Sequence, residues 1–206
     1  MSGVRIPIFP LELVLFPEMT QQLHIFEPRY RLMIRRCLDA PSEFGVVLAR
    51  ADGIAAYGCT AEIAEVTKDY GDGRVEILTE GRSVFRIQEV FSDQPYQEAE
   101  VEILPPEDPA HRGGEPAQLI QAYEKCHQIV YGHPPNADER SGAASLAYHI
   151  AADLPLALDD KQAVLELRSE HARRTLLLQR LQELLPALEQ KYRVREKARS
   201  NGHGQL

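Results

Sequence analysis

The sequence predicts an α+β protein, with a β-rich first half built as a barrel or sandwich and a helical second half. Three observations carry this. Up to about Leu104, short runs rich in β-branched and aromatic residues alternate with turn signals. From Pro105 to Pro116 the segment PPEDPAHRGGEP consists mainly of Pro, Gly and charge, the composition of a linker. Beyond it, apolar residues recur at helical spacing. The 206 residues are 44% hydrophobic and 26% charged, an ordinary globular composition that excludes disorder of the chain as a whole.

In chain order, the β runs are RIPIF, MTQQLHIF, FGVVLAR, CTAEIAEVTKDY, RVEILTE, SVFRIQEVF and YQEAEVEIL. Asp72-Gly73 separates two alternating runs and predicts a hairpin, because both residues tolerate the positive φ of a type I′ turn. Gly81-Arg82 divides the next pair by a weaker version of the same signal. In RVEILTE, Val75, Ile77 and Thr79 share one face, while Arg74, Glu76, Leu78 and Glu80 share a solvated one.

One helix interrupts the β texture. Pro28 suits a first helical position through its fixed φ and missing donor, and Tyr30, Met33, Ile34, Cys37 and Leu38 then form a core-facing stripe. Arg29, Arg35 and Arg36 fall mostly off that stripe, and Arg29 is placed to fold back onto Glu27. The motif HIFEPRY has two readings. In one, Phe26 and Tyr30 anchor the core while Glu27 and Arg29 fix the strand-to-helix corner. In the other, His24, Phe26, Glu27, Arg29 and Tyr30 border a groove that receives exposed peptide. Phe9, Leu11, Leu13, Leu15 and Phe16 pose the same choice between core and contact patch; core is favoured.

The helical half divides into residues 115–132, 138–154, 159–168 and 170–197. Asp159 followed by Gln162 resembles a capping box opening the third helix. In the fourth, Leu177, Leu181, Leu184, Leu185 and Leu188 form an apolar stripe, and Pro186 is expected to kink or divide the helix. Unbroken, residues 170–197 span on the order of 40 Å at 1.5 Å per residue. The predicted organisation is therefore a β domain at 1–105, a linker at 106–116, a helical subdomain at 117–199 and a disordered tail at 200–206.

Net charge is −8. Through Pro105, 10 Lys and Arg oppose 17 Asp and Glu, against 13 and 14 afterwards, so the first half repels polyphosphate. The basic run KYRVREKAR fits the cation-rich carboxyl end of a helix better than a nucleic-acid patch. The amino terminus is broken by Pro7, Pro10, Glu12 and Pro17 and supplies no signal-peptide core. No stretch approaches the roughly 20 apolar residues of a membrane helix, so a cytoplasmic location is expected. Cys37, Cys59 and Cys126 lack CxxC spacing and are expected as buried, reduced thiols.

Signals for chemistry are lacking. The sequence has no HExxH, GxSxG or GxGxxG. His127 and His133 miss the i, i+4 spacing that puts two ligands on one helical face. No metal, cofactor or catalytic residue is expected.

The ordered series IPIFPLELVLFP, HIFEPRY leading into a helix, FGVVLAR, GCTAEIAEV, DGRVEILTEGRSVFRI and YQEAEVEIL resembles the amino-terminal, substrate-binding domain family of Lon proteases. The resemblance covers the β-rich half, and LPLALDDKQAVLEL is similar to the helical extension of stand-alone members. It implies a PUA-like β pseudo-barrel with one packed helix, followed by a carboxyl-terminal helical bundle. It further implies a non-catalytic module whose partners are unfolded or specific protein clients, with a separate protease or chaperone as co-worker. A protease of this kind needs a GxxxxGK[ST] nucleotide loop and a Ser/Lys pair, and these residues carry neither. The alternatives are an RNA-binding PUA-like protein, which the acidic first half disfavours, and a helical interaction scaffold.

Overall fold

The computed structural model describes residues 3–105, 116–136 and 145–201, with no side-chain description at 191 or 193–201. The predicted linker at 106–116 falls almost wholly outside these residues, as does the start of the second predicted helix. Among the described residues six strands form one mixed sheet: β1 (Val4–Leu11), β2 (Thr20–Ile25), β3 (Phe44–Arg50), β4 (Gly53–Asp69), β5 (Val75–Phe91) and β6 (Glu98–Ile103). The helices are α1 (Pro28–Asp39), α2 (Ala117–Tyr131), α3 (Leu146–Asp153), α4 (Leu158–Glu166) and α5 (Glu170–Asn201). The fold is thus the expected α+β pseudo-barrel with a packed helix.

The strand order is β2-β5-β4-β3-β1-β6, with a further pairing of β6 to β5. Only β1 and β3 run parallel; the other ladders are antiparallel. The long β5 explains this topology. Its first part, from Val75 to Glu80, carries β2, and its last part, from Phe85 to Phe91, carries β6. Register shifts along β4 and β5 supply the extra twist that such a bend needs. The ladder returns on itself through β6 while β2 stays at an end, so the sheet is a pseudo-barrel with a free edge and not a closed barrel.

Two predicted strands proved to be one. Gly81-Arg82 is no turn: β5 runs straight through it. Gly81 serves close approach instead. The β1–β2 connection lies against it, with the Gly81 amide donating to Met19 O at 2.9 Å and the Glu18 amide donating to Gly81 O at 2.8 Å. A Cβ at this position would sit 2.2 Å from Phe16 O, a backbone atom, so the chain itself would have to shift to admit one. The hairpin at Asp72-Gly73 does form, but not as a two-residue turn. Asp69 pairs with Val75, and the positive φ values belong to Gly71 and Gly73, so the loop spans 70–74.

The core of the β-rich unit has two parts. One lies under α1, where Tyr30, Met33, Ile34 and Cys37 pack with Phe9, Leu23, Ile25, Phe44 and Ile77. The other joins Ile6, Ile8, Val47, Phe85, Ala99 and Val101. Phe9, Leu15 and Phe16 are buried and Leu11 and Leu13 half-buried, so the opening segment is core as expected. Leu38 corrects the predicted stripe: it is 42% exposed, because the helix turns that position away before ending at Asp39.

The described residues fall into two compact units, one drawn from 1–107 and 156–168 and the other from 108–155 and 169–206. Helix α4 therefore belongs with the β-rich unit. Gln162 donates to Tyr57 O of β4 at 3.1 Å, and Asp159 pairs with Arg50 at 2.9 Å. This corrects the predicted capping box: Ala157 holds the cap position, without a side-chain bond, and Gln162 is buried against β4. In the other unit, Ser145 caps α3 by accepting from the Tyr148 amide. Glu170, at the start of α5, accepts from Ser145 Oγ at 2.7 Å and the Ala147 amide at 3.2 Å, and pairs with Arg173 at 2.9 Å and Arg174 at 2.8 Å. Helix α5 continues through Pro186, so of the two expected effects, a kink or a division, division does not occur, and it runs on to Asn201 into the predicted tail. Among its leucines, Leu177 and Leu181 are fully buried.

Candidate functional site

The HIFEPRY motif spans the end of β2 and the start of α1, and the structure separates its side chains by the alternation of the strand. Leu23 and Ile25 point into the core, so His24 and Phe26 point outward. Phe26 is 57% exposed, which corrects its reading as a core anchor. Its ring stacks on His24, with centroids 5.6 Å apart and planes at 23°. Tyr70, from the β4–β5 loop, meets His24 edge-on at 5.6 Å. Three aromatic rings from two separate segments thus form one exposed surface.

The remaining motif residues build the corner beneath that surface. Glu27 accepts from Arg29 Nε at 3.0 Å, as the sequence suggested. Its carbonyl receives the Tyr30 and Arg31 amides at 3.1 and 2.9 Å, starting the helix directly before Pro28. The Arg29 guanidinium lies 4.5 Å over the Tyr30 ring. Tyr30 itself is buried 4.2 Å from the Phe9 ring, and burial raises its hydroxyl above the usual range. Of the five predicted residues, His24 and Phe26 present themselves to solvent, Glu27 and Arg29 lock the turn, and Tyr30 is core.

Glu76 anchors the surface from β5. It is the partner of His24 in the register, accepts from Tyr70 Oη and Gln22 Nε2, and lies 3.8 Å from His24 Nδ1. The Tyr70 hydrogen bond, with Lys68 and His24 nearby, holds its carboxyl below the usual range. Lys68 and Arg74 sit over the Tyr70 ring at 4.5 and 4.9 Å. Sequence reasoning missed Tyr70 and Glu76. Their signal was the hairpin itself, since pairing about Asp69 and Val75 brings the loop back beside β2.

No group of His, Cys, Asp and Glu among the described residues is arranged to hold a metal. The three thiols are buried, and burial raises all of them above the ordinary thiol value, Cys126 to about 11, which disfavours the reactive thiolate. No helix among the described residues is long and apolar enough to cross a membrane.

An open six-stranded pseudo-barrel with one helix packed on its core, among the described residues, is a fold of the Lon amino-terminal type. The chain belongs to the ATP-dependent protease La (LON) substrate-binding domain family, whose model matches residues 5–183. It is 27% identical over 181 residues to Lon protease 2 of Herpetosiphon aurantiacus, covering 81% of this chain and 22% of that protein. It is 24% identical to Lon protease of Escherichia coli K12, covering 95% of this chain and 27% of that protein. The chain thus spans about a quarter of the length of these relatives. Among solved structures, the Lon N-terminal domain protein from Xanthomonas campestris superposes with a TM-score of 0.67 at 27% identity, covering 85% of this chain and 97% of that one. The N-terminal domain of Mycobacterium avium complex Lon protease shares the fold, with a TM-score of 0.57 at 13% identity over 87% of this chain and 98% of that one.

Proposed function

We propose that the chain is a non-catalytic recognition module that takes up exposed segments of protein clients on the surface of His24, Phe26 and Tyr70, framed by the Glu27–Arg29 corner. One observation carries this: Phe26 stands 57% exposed at the end of a strand whose other apolar residues, Leu23 and Ile25, are buried. A large ring held in water by its own strand's alternation is an anchor without a pocket of its own, which is how hot-spot aromatics present themselves to partners. Membership in a substrate-binding family supports protein as the ligand. A separate protease or chaperone would act on what the module holds.

The test uses fluorescein-labelled β-casein as an unfolded client. Saturable binding by anisotropy is expected, weakened about fivefold by Phe26→Ala, with the melting temperature of that variant unchanged. Equal binding by wild type and variant would remove Phe26 from the surface. Casein fragments produced by the pure chain, with contaminating protease excluded, would end the non-catalytic reading.

A further inference from the structure

The free edge of the sheet carries a more specific inference, which rests on the recognition reading above. Among the described residues β2 pairs with β5 alone, and its six residues keep an unbroken register from Thr20–Glu80 to Ile25–Val75. Exposed edges are ordinarily protected by Lys, Pro, an inward charge or a bulge, because their unpaired amides and carbonyls template further strands. The sequence of β2, TQQLHI, contains no Lys, Arg, Asp, Glu or Pro, and its ladder has no bulge. The ladders β3–β4, β4–β5 and β5–β6 all contain register shifts. An edge stripped of protection, ending in an exposed aromatic ring, is suited to accept a strand.

Charge selects the occupant. Across residues 18–31 and 62–82, which hold β2 and its neighbours, eight Asp and Glu stand against five Lys and Arg. Within this set Arg29 pairs with Glu27, Arg74 with Asp72, and Arg82 with Glu62 and Glu80, so the pairs cancel against acids of the same set and the region keeps an acidic excess of three, eight against five. Lys68 lies over the Tyr70 ring. An incoming acidic strand would therefore meet net repulsion, and a basic one attraction.

We infer that β2 is a strand-addition site for an extended, net-cationic client segment with an aromatic side chain, which pairs along residues 20–25 and sets its ring against Phe26 and His24. Backbone bonds supply affinity independent of sequence, while the ring and the charge supply selection.

The probe is a fluorescent octapeptide of alternating Lys and Phe, compared with the same peptide N-methylated at alternate amides on its pairing edge and with a Glu and Phe counterpart. N-methylation removes the donors a strand needs and leaves charge and rings in place. Anisotropy is expected to show about tenfold weaker binding, or less, for both altered peptides, and the parent peptide is expected to slow amide exchange at residues 20–25. Equal affinity of the N-methylated peptide would overturn strand addition, and equal affinity of the Glu peptide would overturn charge selection. A dimer by light scattering whose contacts slow exchange at residues 20–25 would make a second copy the occupant and overturn the inference. Casein binding alongside any of these failures leaves the recognition reading standing; loss of casein binding as well removes both.

Discussion

Individual side chains here divide between those that hold the fold and those that face solvent, and chemistry separates the two. Glu170 is the clearest structural case. Burial alone would raise its carboxyl, but bonds from Ser145, the Ala147 amide and Arg174, together with Arg173, outweigh burial and hold it below the usual range. Its folded pKa is thus lower than the unfolded value of about 4.3. The stabilisation is present above that value and is lost as pH falls through the folded one. Glu170→Gln leaves Arg173 buried without its carboxylate and is expected to cost about 3 kcal/mol in urea unfolding, with a flatter acid limb. The thiols make a second prediction. With Cys126 raised to about 11 and Cys59 beyond, both should resist iodoacetamide at pH 8 in the folded chain and react after denaturation, as mass spectrometry would show.

Elements take their positions from a few close contacts. Helix α1 buries one face, so Met33→Ala is expected to cost about 3 kcal/mol, whereas Leu38→Ala, at a position 42% exposed, should cost under about 1 kcal/mol. Equal losses would mean that α1 is rotated from the position described. Strand β5 depends on Gly81, where the β1–β2 connection touches the backbone. Gly81→Ala drives a Cβ toward Phe16 O and is expected to cost about 2 kcal/mol or more, read as a lower thermal midpoint. Because that connection also leads into β2, the same variant should speed amide exchange at residues 20–25.

For the whole molecule, the distribution of charge bears on the RNA-binding alternative. A net charge of −8, concentrated in the first half, disfavours nucleic acid. Filter binding with single-stranded RNA at low salt should stay near background, with or without the residues after Gln190. Strong retention with a steep salt dependence would instead favour the RNA reading.

The sequence alone determined the two textures, the α1 stripe through Cys37, the Glu27–Arg29 corner and the family, because each rests on local periodicity, local turn chemistry or ordered motifs. Tertiary structure decided what local signals cannot encode. Gly81 looked like a turn and is a point of backbone contact, since a glycine marks both and only the chain that approaches it tells them apart. Pro186 left a kink or a division open, and the tertiary structure keeps α5 continuous through it. Gln162 looked like half of a cap and is a bond to β4. Phe26 is a large apolar ring of the kind cores use, but strand alternation placed it in water, and only the β5 register brought Tyr70 and Glu76 beside its neighbour His24. That β2 lies at a free edge is a property of strand order, which is set by contacts between residues far apart in the chain.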